Sequence, residues 1–283
     1  MNLKQALAEA RTLFRDNDIE DTSLESEILL RHTLQVNRAQ LYLDFNRELS
    51  PIHETVFRHL VERRLRGEPS AYITGHREFY GLDFYVDHRV LIPRPETELL
   101  LERAINLAQH RRITTIAEIG TGCGAIAVGL AKNLPQAVIY ATDISAPALE
   151  VARFNCRQHG VENNIRLLPG DMLDPLPEHV DLIVANLPYV SRAELPGQGP
   201  LCFEPRLALD GGADGIEKIS GLCRQAGTKL GPAGCLLLEV GQGQGKAVAT
   251  ILKEIFPTAE IEITPDFSGI ERMVGLCLTP GRF

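Results

Sequence analysis

From Ile113 onward the chain alternates short apolar, β-prone runs with helical ones, and few architectures accept that order. Strand-like runs at 114–119, 138–142, 165–168, 182–185 and 235–240 are separated by helix-like stretches at 125–132, 147–159 and 216–229. Alternation of this kind predicts a parallel sheet with helices on both faces. The end breaks the pattern. Residues 260–264 and 273–278 are two strand-like runs with no clear helix between them, which predicts an antiparallel hairpin on one edge of the sheet. The fold class is therefore α/β, a Rossmann-like sheet with a C-terminal antiparallel hairpin, preceded by a small all-α domain.

That first domain reads as helices only. Leu3, Ala6, Leu7, Ala10, Leu13 and Phe14 fall at helical spacing. A second helix carries Leu24, Ile28, Leu29 and Leu34, with Thr22 or Ser23 as its cap, and a shorter one covers 38–45. Ser50-Pro51 is a helix start, a capping hydroxyl followed by Pro at the first helical position. The helix it opens carries Val56, Phe57, Leu60 and Leu65, with Gly67 able to close it. Residues 79–86, aromatic around Gly81, predict a hairpin linker. The run 92–98 then leads into a helix through about Ala108, with Pro95 suited to its first turn. A length of 283 residues agrees with about two domains at roughly 150 residues each. The expected boundaries are 1–74 for the helical domain, 75–92 for the linker and 93–283 for the catalytic domain.

Bulk properties narrow the function. A net charge of −8 and a pI near 5.5 argue against a protein that lives on phosphate backbones. The helical segment 1–70 holds 10 Lys and Arg against 12 Asp and Glu, so it is no obvious nucleic-acid arm. Six cysteines occur without a C-x-x-C pair, so no metal is expected and a reduced cytosol is the reading. The first residues mix charge and apolar side chains in helical phase, unlike a signal peptide. No apolar stretch approaches the ~20 residues of a membrane span. A cytoplasmic monomer is expected.

Glu118-Ile119-Gly120-Thr121-Gly122-Cys123-Gly124 lies between a predicted strand and a predicted helix. Its glycines let the chain turn tightly and let a ligand touch backbone. The spacing Gly120-x-Gly122-x-x-Ala125 also satisfies the dinucleotide fingerprint. Asp143, at the end of the next strand and followed by Ile144, would hold ribose hydroxyls in either case. This loop alone does not separate NAD from S-adenosylmethionine. Glu118 before the first glycine, the third glycine at Gly124, and Gly170-Asp171-Met172 as an adenine grip favour S-adenosylmethionine.

The decisive segment is Asn186-Leu187-Pro188-Tyr189, closing the apolar run 180–185. A strand that ends in an amide, a Pro and an aromatic suits a flat, uncharged nitrogen. The Asn186 side-chain oxygen and the Leu187 carbonyl can each accept one hydrogen of an NH₂ group, Pro188 fixes the backbone, and the Tyr189 ring can pack on a planar amide or base. Hydride transfer needs none of this.

With these pieces in order the chain resembles the PrmC/HemK family of protein-(glutamine-N5) methyltransferases, the release factor glutamine methyltransferases. The resemblance runs essentially end to end. It includes residues 68–75, the run Val90-Leu91-Ile92-Pro93-Arg94-Pro95-Glu96-Thr97-Glu98, the glycine loop, Asp143-Ile144-Ser145, and Asn186 to Tyr189. It continues through 204–209, 212–215 and Leu238-Glu239-Val240-Gly241 with Gln244. The family usually has Pro where this chain has Leu187. The resemblance implies a class I S-adenosylmethionine-dependent methyltransferase. Its acceptor would be the side-chain amide of the glutamine in the Gly-Gly-Gln loop of class-I peptide chain release factors, docked by the helical domain. By the same resemblance Asn186, Leu187, Pro188 and Tyr189 are catalytic. The cofactor would be held by Glu118, Gly120, Thr121, Gly122, Cys123, Gly124, Asp143, Ile144, Asp171, Met172 and Asn186.

Two alternatives keep the cofactor and change the partner. An adenine-N6 methyltransferase would use the same tetrapeptide on a flipped base, but the acidic charge and the absence of a target-reading domain speak against it. A non-catalytic S-adenosylmethionine-binding partner of a translation factor would show a damaged acceptor site, and Leu187 is the only departure. A NAD-dependent dehydrogenase ranks below both.

Overall fold

The computed structural model describes residues 1–197 and 199–279. They form two compact units, one of residues 1–76 and 199–203, the other of residues 77–197 and 204–279. The last four residues of the expected catalytic domain, 280–283, lie outside the described residues.

The helical unit contains α1 (Leu3–Asp16), α2 (Thr22–Leu34), α3 (Arg38–Leu43), α4 (Pro51–Leu65) and the single turn α5 (Ser70–Thr74). Asn2 caps α1 in a reciprocal box with Gln5, both bonds at 2.9 Å. Leu3, Leu7 and Phe14 turn one face of α1 onto Leu29, Leu30, Leu41, Phe57 and Leu60. Each such fully buried side chain contributes roughly 1.5–3 kcal/mol of transfer free energy. Ser50 caps α4 as its sequence predicts, accepting from the His53 N–H at 3.3 Å.

Two local expectations are corrected here. Neither Thr22 nor Ser23 caps α2; Asp21 precedes it in a left-handed conformation and no side chain caps that end. α3 stops at Leu43 rather than Phe45. The carbonyls of Phe45 and Arg47 instead accept the N–H groups of Lys4 and Leu3, which α1 cannot pair within itself. Residues 199–203 are grouped with this unit, where the Phe203 ring lies against Gly67.

A hairpin follows, β1 (His76–Phe79) and β2 (Leu82–Tyr85), joined through Tyr80 and Gly81, both at positive φ, the conformation a two-residue hairpin turn requires. α6 (Thr97–Arg111) begins two residues after Pro95. The N–H groups of Thr97, Glu98 and Leu99 each bond three residues back, so a tighter turn leads into the helix and Pro95 sits in that turn.

Seven strands follow: β3 (Thr115–Ile119), β4 (Val138–Asp143), β5 (Ile165–Pro169), β6 (Val180–Ala185), β7 (Leu230–Glu239), β8 (Glu260–Pro265) and β9 (Glu271–Cys277). Helices α7 (Ala125–Asn133), α8 (Ala146–Gln158), α9 (Glu217–Ala226) and α10 (Gly245–Ile255) alternate with them, and α10 was not anticipated from the sequence. The strand order is β5-β4-β3-β6-β7-β9-β8. β3 to β7 pair in parallel, whereas β9 runs antiparallel between β7 and β8, as the C-terminal pattern predicts. Central strands buried on both faces explain the continuous apolar runs.

Register then fixes what meets at the C-terminal edge. Ile119 pairs with Thr142 on one side and Ala185 on the other, and Ala185 pairs with Leu238. The next residues therefore form one row across four strands: Asp143, Gly120, Asn186 and, closing β7, Glu239. The strand order reverses between β3 and β6, from which successive strands are added in opposite directions, and open α/β sheets hold ligands at such a switch point. The same register places Cys235 opposite Cys277 on β7 and β9 with their sulfurs in contact, a juxtaposition no spacing in the chain announces. Among the described residues no helix is long and apolar enough to cross a membrane.

Candidate active site

A cleft with about 890 Å³ of empty space, its open mouth included, lies along that row. Its floor is Gly120, Gly122, Asp143, Asn186, Leu187 and Pro188. Ile144, Asp171 and Met172 line one end, and Arg89, Val90 and Leu91 form a wall with Pro205, Leu207, Ala208 and Lys218.

The glycine turn is held by backbone. The N–H groups of Gly120 and Thr121 both donate to the Thr142 carbonyl at 2.9 Å. Gly120 has φ +73°, and a methyl built on it would stand 3.2 Å from Leu187 Cδ2. Gly122 has φ +55° and faces open space, so a side chain there would project into the cleft. Asp143 accepts from Gly122 N–H on Oδ2 and from Ser145 N–H on Oδ1, each at 2.8 Å. Burial pushes its carboxyl up and these two bonds pull it down.

Glu118, Thr121, Cys123 and Gly124 stand behind the floor rather than on it. Glu118 is 2% exposed and accepts from the Thr121 hydroxyl at 2.7 Å. Burial raises its carboxyl to about 8, and hydrogen bonds from Thr121 and the Ala127 backbone offset only part of that. Asn155 is fully buried on α8 and binds the glycine turn to the hairpin. Its Nδ2 donates to the Cys123 carbonyl at 2.8 Å and the Tyr85 carbonyl at 2.9 Å, while Oδ1 accepts from Tyr85 N–H at 2.9 Å.

The cleft fits S-adenosylmethionine by its donors and its space. Gly120 and Gly122 leave the floor bare of side chains beside a carboxylate whose two oxygens keep lone pairs free for vicinal hydroxyls. Ile144, 59% exposed, offers an apolar face at the strand end where a base would pack. Met172, at φ +43°, has its carbonyl held by the Thr142 hydroxyl at 2.9 Å, and its sulfur sits against Gly221 on α9.

Across the row, Asn186 Nδ2 donates to Thr97 Oγ1 at 3.0 Å. Among the described residues no donor reaches Asn186 Oδ1 or the Leu187 carbonyl oxygen. Leu187 is 7% exposed and fills the space beside Gly120. Tyr189 does not line the cleft. Its ring packs on the apolar core and lies beside Gly241, its phenol lies 3.4 Å from Glu239 Oε1, and its carbonyl accepts from Gln244 Nε2 at 2.9 Å. Burial, then the neighbouring Glu239 charge, raises that phenol to about 12.

The wall is latched by an ion pair. Arg94 pairs with Glu204, whose side chain is almost fully buried and whose Oε2 also accepts from Ile92 N–H at 3.2 Å. Residues 90–91 and 205–208 are thereby tied together. Glu204, Lys218, Thr97 and Glu239 were not singled out as site residues from the sequence. Glu239 carries the signal that drew attention to Glu118, a carboxylate closing an apolar strand.

Comparison with known proteins bears on family and fold. Residues 5–75 match the PrmC N-terminal domain family and residues 95–196 the methyltransferase small domain family. The release factor glutamine methyltransferase of Moorella thermoacetica is 42% identical over 96% of this chain and 97% of its own length. That of Bordetella pertussis is 41% identical over 89% and 93%. In three dimensions, the ribosomal protein L11 methylase of Lactobacillus delbrueckii subsp. bulgaricus aligns with a TM-score of 0.51 at 22% identity, covering 70% of this chain and 84% of that one, which speaks to fold alone. With near-complete coverage at such identity, the chain belongs to the release factor glutamine methyltransferase family.

Proposed function

We propose that the protein transfers a methyl group from S-adenosylmethionine to the side-chain amide nitrogen of the glutamine in the Gly-Gly-Gln loop of class-I peptide chain release factors. The observation that carries this reading is the pair of acceptors in the cleft, Asn186 Oδ1 and the Leu187 carbonyl, both without a donor of their own among the described residues. They stand beside the glycine turn because β3 and β6 pair in register.

An amide nitrogen is a poor nucleophile, since its lone pair is spread into the carbonyl. The residues present therefore position more than they activate. Asn186 and Leu187 each take one N–H hydrogen of the acceptor, which turns the nitrogen toward the reacting methyl. Correct placement supplies up to roughly 7–11 kcal/mol in well-oriented intramolecular reactions. The two hydrogen bonds strengthen as positive charge grows on nitrogen, worth on the order of 3 kcal/mol per group. The acceptor nitrogen becomes acidic only late, so water suffices to take the proton. Asp143, with Gly120 and Gly122, holds the ribose, and Ile144, Asp171 and Met172 hold the adenine. Glu118, Thr121, Cys123 and Gly124 keep the turn that presents them. Bound there, S-adenosylmethionine supplies an electrophilic methyl on a sulfonium.

The helical unit docks the release factor, and the protein works as a cytoplasmic monomer without a nucleic-acid partner. Net charge −8 supports a protein rather than a phosphate-rich acceptor. Incubating the protein with S-adenosylmethionine and a purified class-I release factor should add one methyl, located by peptide mass spectrometry on the loop glutamine. An unmodified factor beside measurable cofactor binding would overturn the proposal, and methylation of an adenine-containing oligonucleotide instead would select the alternative acceptor.

A further inference from the structure

The Asn186 amide serves the proposed reaction only one way round. With Oδ1 toward the acceptor NH₂ it receives a hydrogen; turned by half a rotation, it would set donor against donor. Thr97 Oγ1, 3.0 Å from Nδ2, holds the amide, but a hydroxyl both donates and accepts, so Thr97 by itself would hold either orientation. The hydroxyl proton must be committed elsewhere.

Behind Thr97 lies Glu239, the last residue of β7, brought beside Asn186 by the pairing of Ala185 with Leu238. Thr97 is 4% exposed and Glu239 3%, so water does not substitute freely for either. Among the described residues Glu239 Oε2 has no hydrogen-bond partner, and Oε1 has the Tyr189 phenol at 3.4 Å. The other groups acting on this carboxylate are the Thr97 hydroxyl, Glu96 just before α6, and Arg272 on β9. A buried carboxylate so poorly satisfied is costly unless it has work to do.

We infer that Glu239 is a positioning residue for methyl transfer. As an ion it only accepts, so it draws the Thr97 hydroxyl proton to itself, leaves the Thr97 lone pair to Asn186 Nδ2, and so fixes Oδ1 toward the acceptor. The inference rests on the reaction proposed above. Once protonated, Glu239 can donate to Thr97, whose own proton is then free to point at Asn186 Oδ1, and the amide loses its preferred orientation. Burial raises the Glu239 carboxyl to about 7; the nearby Thr97 and Tyr189 hydroxyls and the Arg272 charge lower it, while Glu96 raises it. The active form is therefore the one present above that value.

The test measures single-turnover transfer at saturating cofactor between about pH 6 and pH 9, with calorimetric cofactor affinity alongside, for wild type, Thr97→Ser, Thr97→Val, Glu239→Gln and the Val/Gln double variant. The wild-type rate should fall about tenfold per pH unit below about pH 7. Thr97→Val and Glu239→Gln should each be slower by roughly one to two orders of magnitude at unchanged cofactor affinity, without that acid limb. The double variant should be no slower than the slower single one, because both changes break one chain, and Thr97→Ser should keep rate and profile. Additive losses, an acid limb that survives Glu239→Gln, or a Thr97→Ser variant as slow as Thr97→Val would each overturn the inference. A wild-type protein that binds cofactor yet transfers no methyl at any pH refutes the reaction itself; a wild type that transfers, with variants that break the pattern, refutes Glu239 alone.

Discussion

On the β3–β4 side of the cleft Gly120 and Asp143 are held by backbone N–H groups and carbonyls, whereas on the β6–β7 side Asn186 is held by a side chain. Gly120 and Thr121 donate main-chain N–H groups to Thr142, and Asp143 is fixed by the N–H groups of Gly122 and Ser145. Asn186 depends instead on the Thr97 hydroxyl, and Tyr189 on Gln244 and Glu239. The contrast matches the tasks. Gripping a cofactor needs a turn of fixed shape that backbone alone can make. Aiming a neutral amide, the task proposed for Asn186, needs its oxygen and nitrogen ends told apart, and here the group that meets the nitrogen end is a side-chain hydroxyl.

Variants on each side should therefore fail differently. The largest loss is expected at Gly122→Val, which puts a branched side chain into the cleft at a positive φ; cofactor affinity should drop by roughly 100-fold or more, equivalent to about 2.7 kcal/mol, read by calorimetry. Asn155→Ala deletes the three hydrogen bonds that join the glycine turn to the hairpin. It should cost about 1–3 kcal/mol in denaturant unfolding, with a weaker cofactor grip as a consequence. Gly120→Ala strains φ and crowds Leu187, costing roughly 1–2 kcal/mol and touching both sides at once, since that contact is where they meet. An affinity loss without any change in transfer at saturating cofactor would show the two sides to be independent at Gly120.

The smallest effect is a pH slope. Glu118 sits at about 8 in the folded chain against roughly 4.3 unfolded, so the folded state keeps a proton that the unfolded state releases. Its contribution is present in full below the unfolded value and is lost as pH rises toward 8. Thermal melts of Glu118→Gln between about pH 5 and pH 8 should show a flatter decline than wild type. Identical slopes would mean that Glu118 titrates normally.

How much of this was legible in the sequence follows the same division. The alternating runs after Ile113 announce the parallel sheet because buried strands must be apolar throughout, and the glycine turn is visible because a positive φ selects glycine. The antiparallel edge was readable from two adjacent strand-like runs without a helix. The helix starts were less so: α6 begins beyond Pro95 because a tighter turn comes first, and the α2 end uses backbone conformation where a side-chain cap was expected. Asn186 is singled out by its tetrapeptide, and the structure places it on the cleft floor. Thr97 and Glu239 are not singled out in this way, because they lie 89 residues before Asn186 and on another strand, and only the pairing of β6 with β7 and the start of α6 bring them together. Lys218 and Leu207 reach the cleft by the same route, from segments whose local sequence carries no ligand signal.

The most direct test of the account crosses the two sides. Cofactor affinity and single-turnover methyl transfer to a class-I release factor are measured for Asn186→Ala and Asp143→Ala, each at saturating cofactor. The account predicts that Asn186→Ala binds cofactor nearly as wild type and transfers roughly 100- to 1,000-fold more slowly. Asp143→Ala should bind cofactor weakly and recover most of its transfer once the cleft is filled. Equal loss of affinity and transfer in both variants, or normal turnover in Asn186→Ala, would contradict it.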